Sequence, residues 1–158
     1  MAISKHLVLT EDGIRALNNS LGNLVLDSGA RAALLIDKSG QMIAAQGETS
    51  HYDTMSISAL VTGSFNSTKA IATLLGEAEF TKMFQQGSTH SIYVAALRSQ
   101  EILAVIFPNQ IPVGRIKYKV EQSLDTVDQQ MHAMYQQTPA SSPMRPAQAP
   151  APKINDLF

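Results

Sequence analysis

The chain has no cysteine, which excludes disulfides, thiolate metal sites and a thiol nucleophile. Charge is scarce as well: 16% of the 158 residues are Asp, Glu, Lys or Arg, and the formal net charge is -1. Such a balance gives no electrostatic pull toward nucleic acid or an anionic membrane. No stretch reaches the roughly 20 apolar residues that span a bilayer. The start, Met1-Ala-Ile-Ser-Lys-His6, lacks the basic flank and apolar run of a signal peptide. The expectation is a soluble, cytosolic protein.

What is present is apolar. Hydrophobic residues make up 44% of the chain, enough to pack one domain with a short appendage. Ile14, Leu17, Leu21, Leu24 and Val25 recur at three- and four-residue intervals, which predicts a first helix over Leu9–Ser28. Thr10 is placed to cap it, and Gly29 to stop it. Ala32–Ile36 and the segment beginning Met42-Ile-Ala flank a polar turn with glycine and read as a hairpin closed by Gly47. Asp53–Leu75 predicts a second helix, capped by Asp53 and ended by Gly76, with Ile57, Leu60, Val61, Ile71, Leu74 and Leu75 as its buried face. Phe80–Gln86, Ser91–Leu97 and Ile102–Phe107 read as three strands. Pro108 closes the last, because it cannot donate to a sheet ladder. Pro112 opens a third helix running to Gln137.

The expected fold is therefore of the α+β type, in the order αββαβββα. It has a five-stranded antiparallel sheet with helices on its faces. The domain covers residues 1–137. Residues 138–158 form a tail with five of the seven prolines between Pro139 and Pro152. That composition predicts a disordered tether ending in a hydrophobic-acidic motif with Ile154, Leu157 and Phe158. The motif is either a recognition segment or an inert end.

A search for chemistry finds none. His6, His51, His90 and His132 are scattered, and no pair has metal-ligand spacing on one element. No catalytic residue, cofactor or metal site is expected. Gly63-Ser-Phe-Asn-Ser-Thr-Lys69-Ala70 resembles a phosphate-binding loop, but Thr68 stands for the second glycine and Ala70 for the hydroxyl that would hold magnesium. The segment also falls inside the second helix, where its amides are already used.

The unusual feature is the other face of that helix, where Ala59, Thr62, Gly63, Asn66, Ala70 and Thr73 are all short and uncharged. An ordinary solvated face would carry Glu, Lys and Arg. Two readings stay open: a helix buried on both sides within its own subunit, or a face that meets a second copy or a partner.

These residues resemble the roadblock (dynein light chain) family, and within it the bacterial MglB-type branch. The resemblance is carried by Leu35-Ile-Asp-Lys-Ser-Gly-Gln-Met-Ile43, Gly47, Asp53-Thr54 and Leu74-Leu-Gly-Glu77. It continues through Phe80, Ser91-Ile-Tyr93, Leu103-Ala-Val-Ile-Phe107 and Gly114, and so spans Leu9 to Gln137. It implies a homodimer, with second helices packed together and sheets joined edge to edge, that regulates a small Ras-like GTPase of the MglA type. Regulation would mean activating GTP hydrolysis, and also promoting exchange, without an arginine finger: the GTPase's own catalytic residues are repositioned. Asn66 and Ala70 match the family's GTPase-contacting surface, and Ile154, Leu157 and Phe158 match its tail anchors. The setting implied is bacterial polarity or motility, in the cytoplasm and at a cell pole. A roadblock-type scaffold without effect on hydrolysis is the other reading.

Overall fold

The computed structural model describes residues 3–139, with side chains described for residues 7–135. The proline-rich stretch from residue 140 onward, with Ile154, Leu157 and Phe158, lies outside the described residues. The chain divides into two units, the larger being Leu9–Met134. The smaller is drawn from the two ends of the chain. In it, β1 (Ile3–Leu7) and β7 (Tyr135–Pro139) pair antiparallel, with Ile3 opposite Pro139 and Leu7 opposite Tyr135.

The larger unit follows the expected order. It holds α1 (Glu11–Ser28), β2 (Ala32–Ile36), β3 (Met42–Gly47), α2 (Thr54–Leu75), β4 (Lys82–Gln86), β5 (His90–Ala96), β6 (Ile102–Pro108) and α3 (Val113–Met134). The strands form one antiparallel sheet in the order β3-β2-β6-β5-β4. Local chemistry accounts for the starts and turns. The Thr10 hydroxyl accepts the Gly13 N–H at 3.0 Å, capping α1. In the β2–β3 turn, Asp37 Oδ1 accepts from Ser39 N–H at 2.9 Å, from the Ser39 hydroxyl at 2.6 Å and from Gln41 N–H at 2.9 Å. One carboxylate thus satisfies most of the turn's donors. Gly47 has φ +99, and a Cβ there would collide with the Arg31 carbonyl, so the strand end requires glycine.

Two expectations at the ends are corrected. α3 stops at Met134 rather than Gln137, and Tyr135–Pro139 turns into a strand. The residue before a proline avoids helical geometry, and Tyr and Thr favour extended backbone. The pairing of Ile3–Leu7 with that strand was not foreseen.

Both faces of the sheet are covered. β2 is buried along its whole length and β6 along nearly all of it, as their unbroken apolar runs require. On one face α1 and α3 pack together over β2 and β5, supplying Leu17, Leu21, Leu24, Ile116, Val120, Val127 and Met131 to the core. On the other face, among the described residues, lies α2 alone. Its Val61 and Phe65 join Leu34, Ile36, Val94, Ile102 and Ala104. Among the described residues no helix is long and apolar enough to cross a membrane.

Candidate functional site

α2 carries almost no charge. Lys69 is its only charged residue in 22. Its N-terminus is fixed by Asp53, whose carboxylate accepts the Ser56 hydroxyl at 2.7 Å and the Ser56 N–H at 3.1 Å. Those two bonds, the hydroxyl's first, hold the Asp53 carboxyl below the ordinary carboxylate range.

Five hydroxyls of α2 bond back to carbonyls of their own helix, whereas Ser64 donates to the Met83 sulfur on β4. Ser58 donates to the Thr54 carbonyl at 2.7 Å and Thr62 to the Ser58 carbonyl at 2.8 Å. Ser67, Thr68 and Thr73 do the same with the carbonyls of Ser64, Phe65 and Lys69. Each of these five is satisfied without leaving the helix. Serine and threonine can therefore lie inward, and those facing outward offer fewer polar groups to water than the sequence suggests.

That arrangement rotates the helix relative to expectation. Ser58, Val61, Thr62, Phe65 and Ala72 form the buried face. Val61 is where the sequence put it and Ile57 is half-buried, but Leu60 (72% exposed), Ile71 (50%), Leu74 (86%) and Leu75 (67%) are not core residues. Thr62, expected on the free face, is 5% exposed. It and Ala59 are what the β2–β3 turn packs against: a Cβ on Gly40 (φ +92) would lie 3.4 Å from Ala59 Cα and 3.5 Å from Thr62 Cβ. Part of the short-side-chain stripe is thus explained within the subunit. Gly63, Asn66, Ala70 and Thr73 are exposed, as is Ala59, and nothing lies within 4 Å of where a Gly63 Cβ would be.

The outward surface is consequently different from, and more apolar than, the one expected. At 100° per residue, Leu60, Gly63, Ser67, Ala70, Ile71 and Leu74 share one side of the helix. Three large hydrophobes with small residues between them make a ridge of the kind that marks a contact surface. α2 packs on β2 and β3, and β3 is an edge of the sheet, so the ridge lies on the half of the domain whose last strand pairs on one side only among the described residues. The residues missed in the sequence were Leu60, Ile71 and Leu74. The signal that could have found them is the near-absence of charge around the whole helix.

No other constellation competes. Among the described residues no group of His, Asp and Glu could hold a metal ion. His51, His90 and His132 are exposed. His51 lies 3.6 Å from Glu48, and His90 meets the Thr89 hydroxyl at 3.0 Å and the edge of Tyr52. The loop-like segment Gly63–Ala70 is helical throughout.

The family model described as Roadblock/LC7 domain matches residues 17–107. Myxococcus xanthus MglB is 30% identical, with a TM-score of 0.76 over 84% of this chain and 99% of that one. The gliding protein MglB of Thermus thermophilus is 26% identical, with a TM-score of 0.75 over 83% of this chain and 99% of that one. An MglB in a tetrameric arrangement is also 26% identical, with a TM-score of 0.75 over 84% and 99%. No curated protein sequence matches the chain.

Proposed function

The chain belongs to the Roadblock/LC7 domain family, and on that premise we propose that it is a homodimeric regulator of a small Ras-like GTPase of the MglA type. The observation that carries this reading is the exposed ridge of α2, with Leu60, Ile71 and Leu74 turned away from their own core beside the open β3 edge. A second copy covering that ridge would bury apolar surface that is otherwise left in water, and edge strands would pair. The dimer would present Gly63, Asn66, Ala70 and Thr73 of two helices to the GTPase.

The chemistry asked of this chain is positioning. GTP hydrolysis is limited by placement of the attacking water and by stabilisation of charge developing on the phosphate, to which one arginine contributes about 10³ to 10⁵ in rate. α2 contains no arginine, so it has none to insert from that face. It would act by binding the GTPase best when the GTPase's own catalytic residues are in place, which shifts the switch-loop equilibrium without a reactive group on this side. The protein would work in the cytoplasm, in bacterial polarity or motility and at a cell pole. Its tail residues Ile154, Leu157 and Phe158 would touch the GTPase separately and promote exchange.

The test is single-turnover GTP hydrolysis by an MglA-type GTPase with and without this protein. Ala70→Arg and Asn66→Arg should abolish the stimulation while the protein stays folded. Stimulation that survives both variants would overturn the reading. The second reading, a scaffold without effect on hydrolysis, is favoured by the size of Leu60, Ile71 and Leu74, which suit self-pairing alone. It predicts equal capture of the GTP- and GDP-bound GTPase.

A further inference from the structure

A groove lies on the other flank of α2, where the helix, the two hairpin turns and the segment entering β4 meet. It has a volume of about 320 Å³ and is lined by Phe65, Asn66 and Lys69 of α2, Lys38 of the β2–β3 turn, Glu79, Phe80 and Thr81 before β4, and Ala96, Leu97, Arg98, Gln100 and Ile102 around the β5–β6 turn. Its floor is apolar: Phe65, Leu97 and Ile102 are each less than 5% exposed. Its rim is cationic. Lys38 and Lys69 are exposed and have no ion pair among the described residues. The Arg98 guanidinium shares its charge with Asp125 at 3.2 Å, and Glu79 is the one carboxylate in the lining.

A cavity of this size holds a few side chains, and an apolar floor with a few polar groups at its mouth is the usual form of a small binding site. Two unpaired lysines and the Asp125-bound Arg98, against one lining carboxylate, leave a small positive surplus. Two of those cations stand on turns and one on the helix, so the charge surrounds the floor from more than one element. We propose that this groove docks a short acidic segment of a partner protein, with a bulky apolar side chain on Phe65, Leu97 and Ile102 and flanking carboxylates at Lys38, Lys69 and Arg98. The site is independent of the GTPase reading: of the residues assigned to the GTPase-facing surface, only Asn66 also lines the groove. A partner held here would leave Leu60, Gly63 and Leu74 untouched.

The experiment is fluorescence anisotropy on the full chain with three labelled probe peptides, Asp-Asp-Leu-Phe-Asp, Lys-Lys-Leu-Phe-Lys and Asp-Asp-Ala-Ala-Asp. The first should bind saturably and the other two at least tenfold more weakly. Binding should weaken several-fold between 50 and 500 mM salt, because the screening length for exposed charges falls from about 14 Å to about 4 Å over that range. The paired variant Lys38→Glu, Lys69→Glu should lose at least tenfold, with circular dichroism and the urea midpoint unchanged. Both lysines are exposed, so the fold does not depend on them. No saturable binding of the first peptide would overturn the proposal. So would equal binding of all three peptides, or binding that ignores the paired substitution. Excess inorganic phosphate that displaces the peptide completely would also overturn it, by reassigning the groove to a simple anion.

Discussion

The ammonium of Lys82, on β4, meets the carboxylate of Glu121, on α3, at 2.6 Å, and both charges act on the buried phenol of Tyr93. The pair ties the edge strand of the sheet to the helix beneath it. The hydrogen bond holds the Glu121 carboxyl below its ordinary 4.5 and the Lys82 ammonium above its ordinary 10.5. Both partners are well exposed, so solvent screens the interaction.

The pH dependence follows from those two directions. A carboxyl depressed in the folded state stabilises above its unfolded value of 4.5, and the contribution disappears as pH falls through the folded value. A raised ammonium stabilises below 10.5, and that contribution disappears as pH rises through its folded value. Glu121→Gln should therefore lower the urea midpoint slightly at pH 7 and leave it unchanged near pH 2, where the carboxylate is protonated in either state. A difference that persists undiminished at pH 2 would contradict this account.

Tyr93 offers a second test. It is 4% exposed and its hydroxyl has no hydrogen-bond partner among the described residues, and burial pushes the phenol upward. Removing an unsatisfied buried hydroxyl while keeping the ring is neutral or favourable. Tyr93→Phe should be as stable as the parent, or more stable by up to about 1 kcal/mol, in chemical denaturation. A loss of that size would reveal a bond that forms in solution.

The two faces of α2 should respond differently to truncation. Phe65 is 4% exposed and Leu74 is 86% exposed. Phe65→Ala removes a core ring and should cost about 3 to 5 kcal/mol. Leu74→Ala should change unfolding of the subunit by less than about 0.5 kcal/mol while weakening self-association in sedimentation. If Leu74→Ala unfolds the protein and leaves association intact, the outward assignment is wrong.

Thr62 and Ala70 separate the same faces by charge. Thr62 is buried with its hydroxyl on the Ser58 carbonyl, whereas Ala70 is exposed. Thr62→Val should cost no more than about 1.5 kcal/mol, the net worth of one intramolecular hydrogen bond, since the Ser58 carbonyl stays bonded within the helix. Thr62→Arg should prevent folding, because a buried unpaired charge costs several kcal/mol. Ala70→Arg should leave thermal unfolding nearly unchanged. A folded Thr62→Arg protein would mean that the helix turns its other side to the sheet.

The sequence discloses the elements better than their orientation. Caps at Thr10 and Asp53 and the stops at Gly29 and Gly76 bounded α1 and α2 within two residues. The unbroken runs Ala32–Ile36 and Ile102–Phe107 marked the central strands. The rotation of α2 was not legible, for two physical reasons. Ser58 and Thr62 look polar in the sequence, but hydroxyls bonded to their own helix can be buried. The helix also outruns the sheet: its 22 residues extend about 33 Å, against roughly 17 to 23 Å for strands of five to seven residues, so Ile71, Leu74 and Leu75 stand near an end with less sheet beneath it. Ile3–Leu7 with Tyr135–Pro139 was invisible because two short segments at opposite ends of the chain define each other only once paired.

The inward hydroxyls of α2 carry one more implication. Because Ser58, Thr62 and Ala72 are small, Val61 and Phe65 supply most of the apolar bulk on the side of the helix that meets the sheet, and Leu60, Ile71 and Leu74 stand outside. Folding then constrains the inward positions and leaves the outward ones free to vary, interleaved along the same 22 residues. Exchanging an outward leucine for another large side chain alters whom the helix can meet without asking the interior to rearrange, so this domain can acquire new companions at little risk to its own integrity.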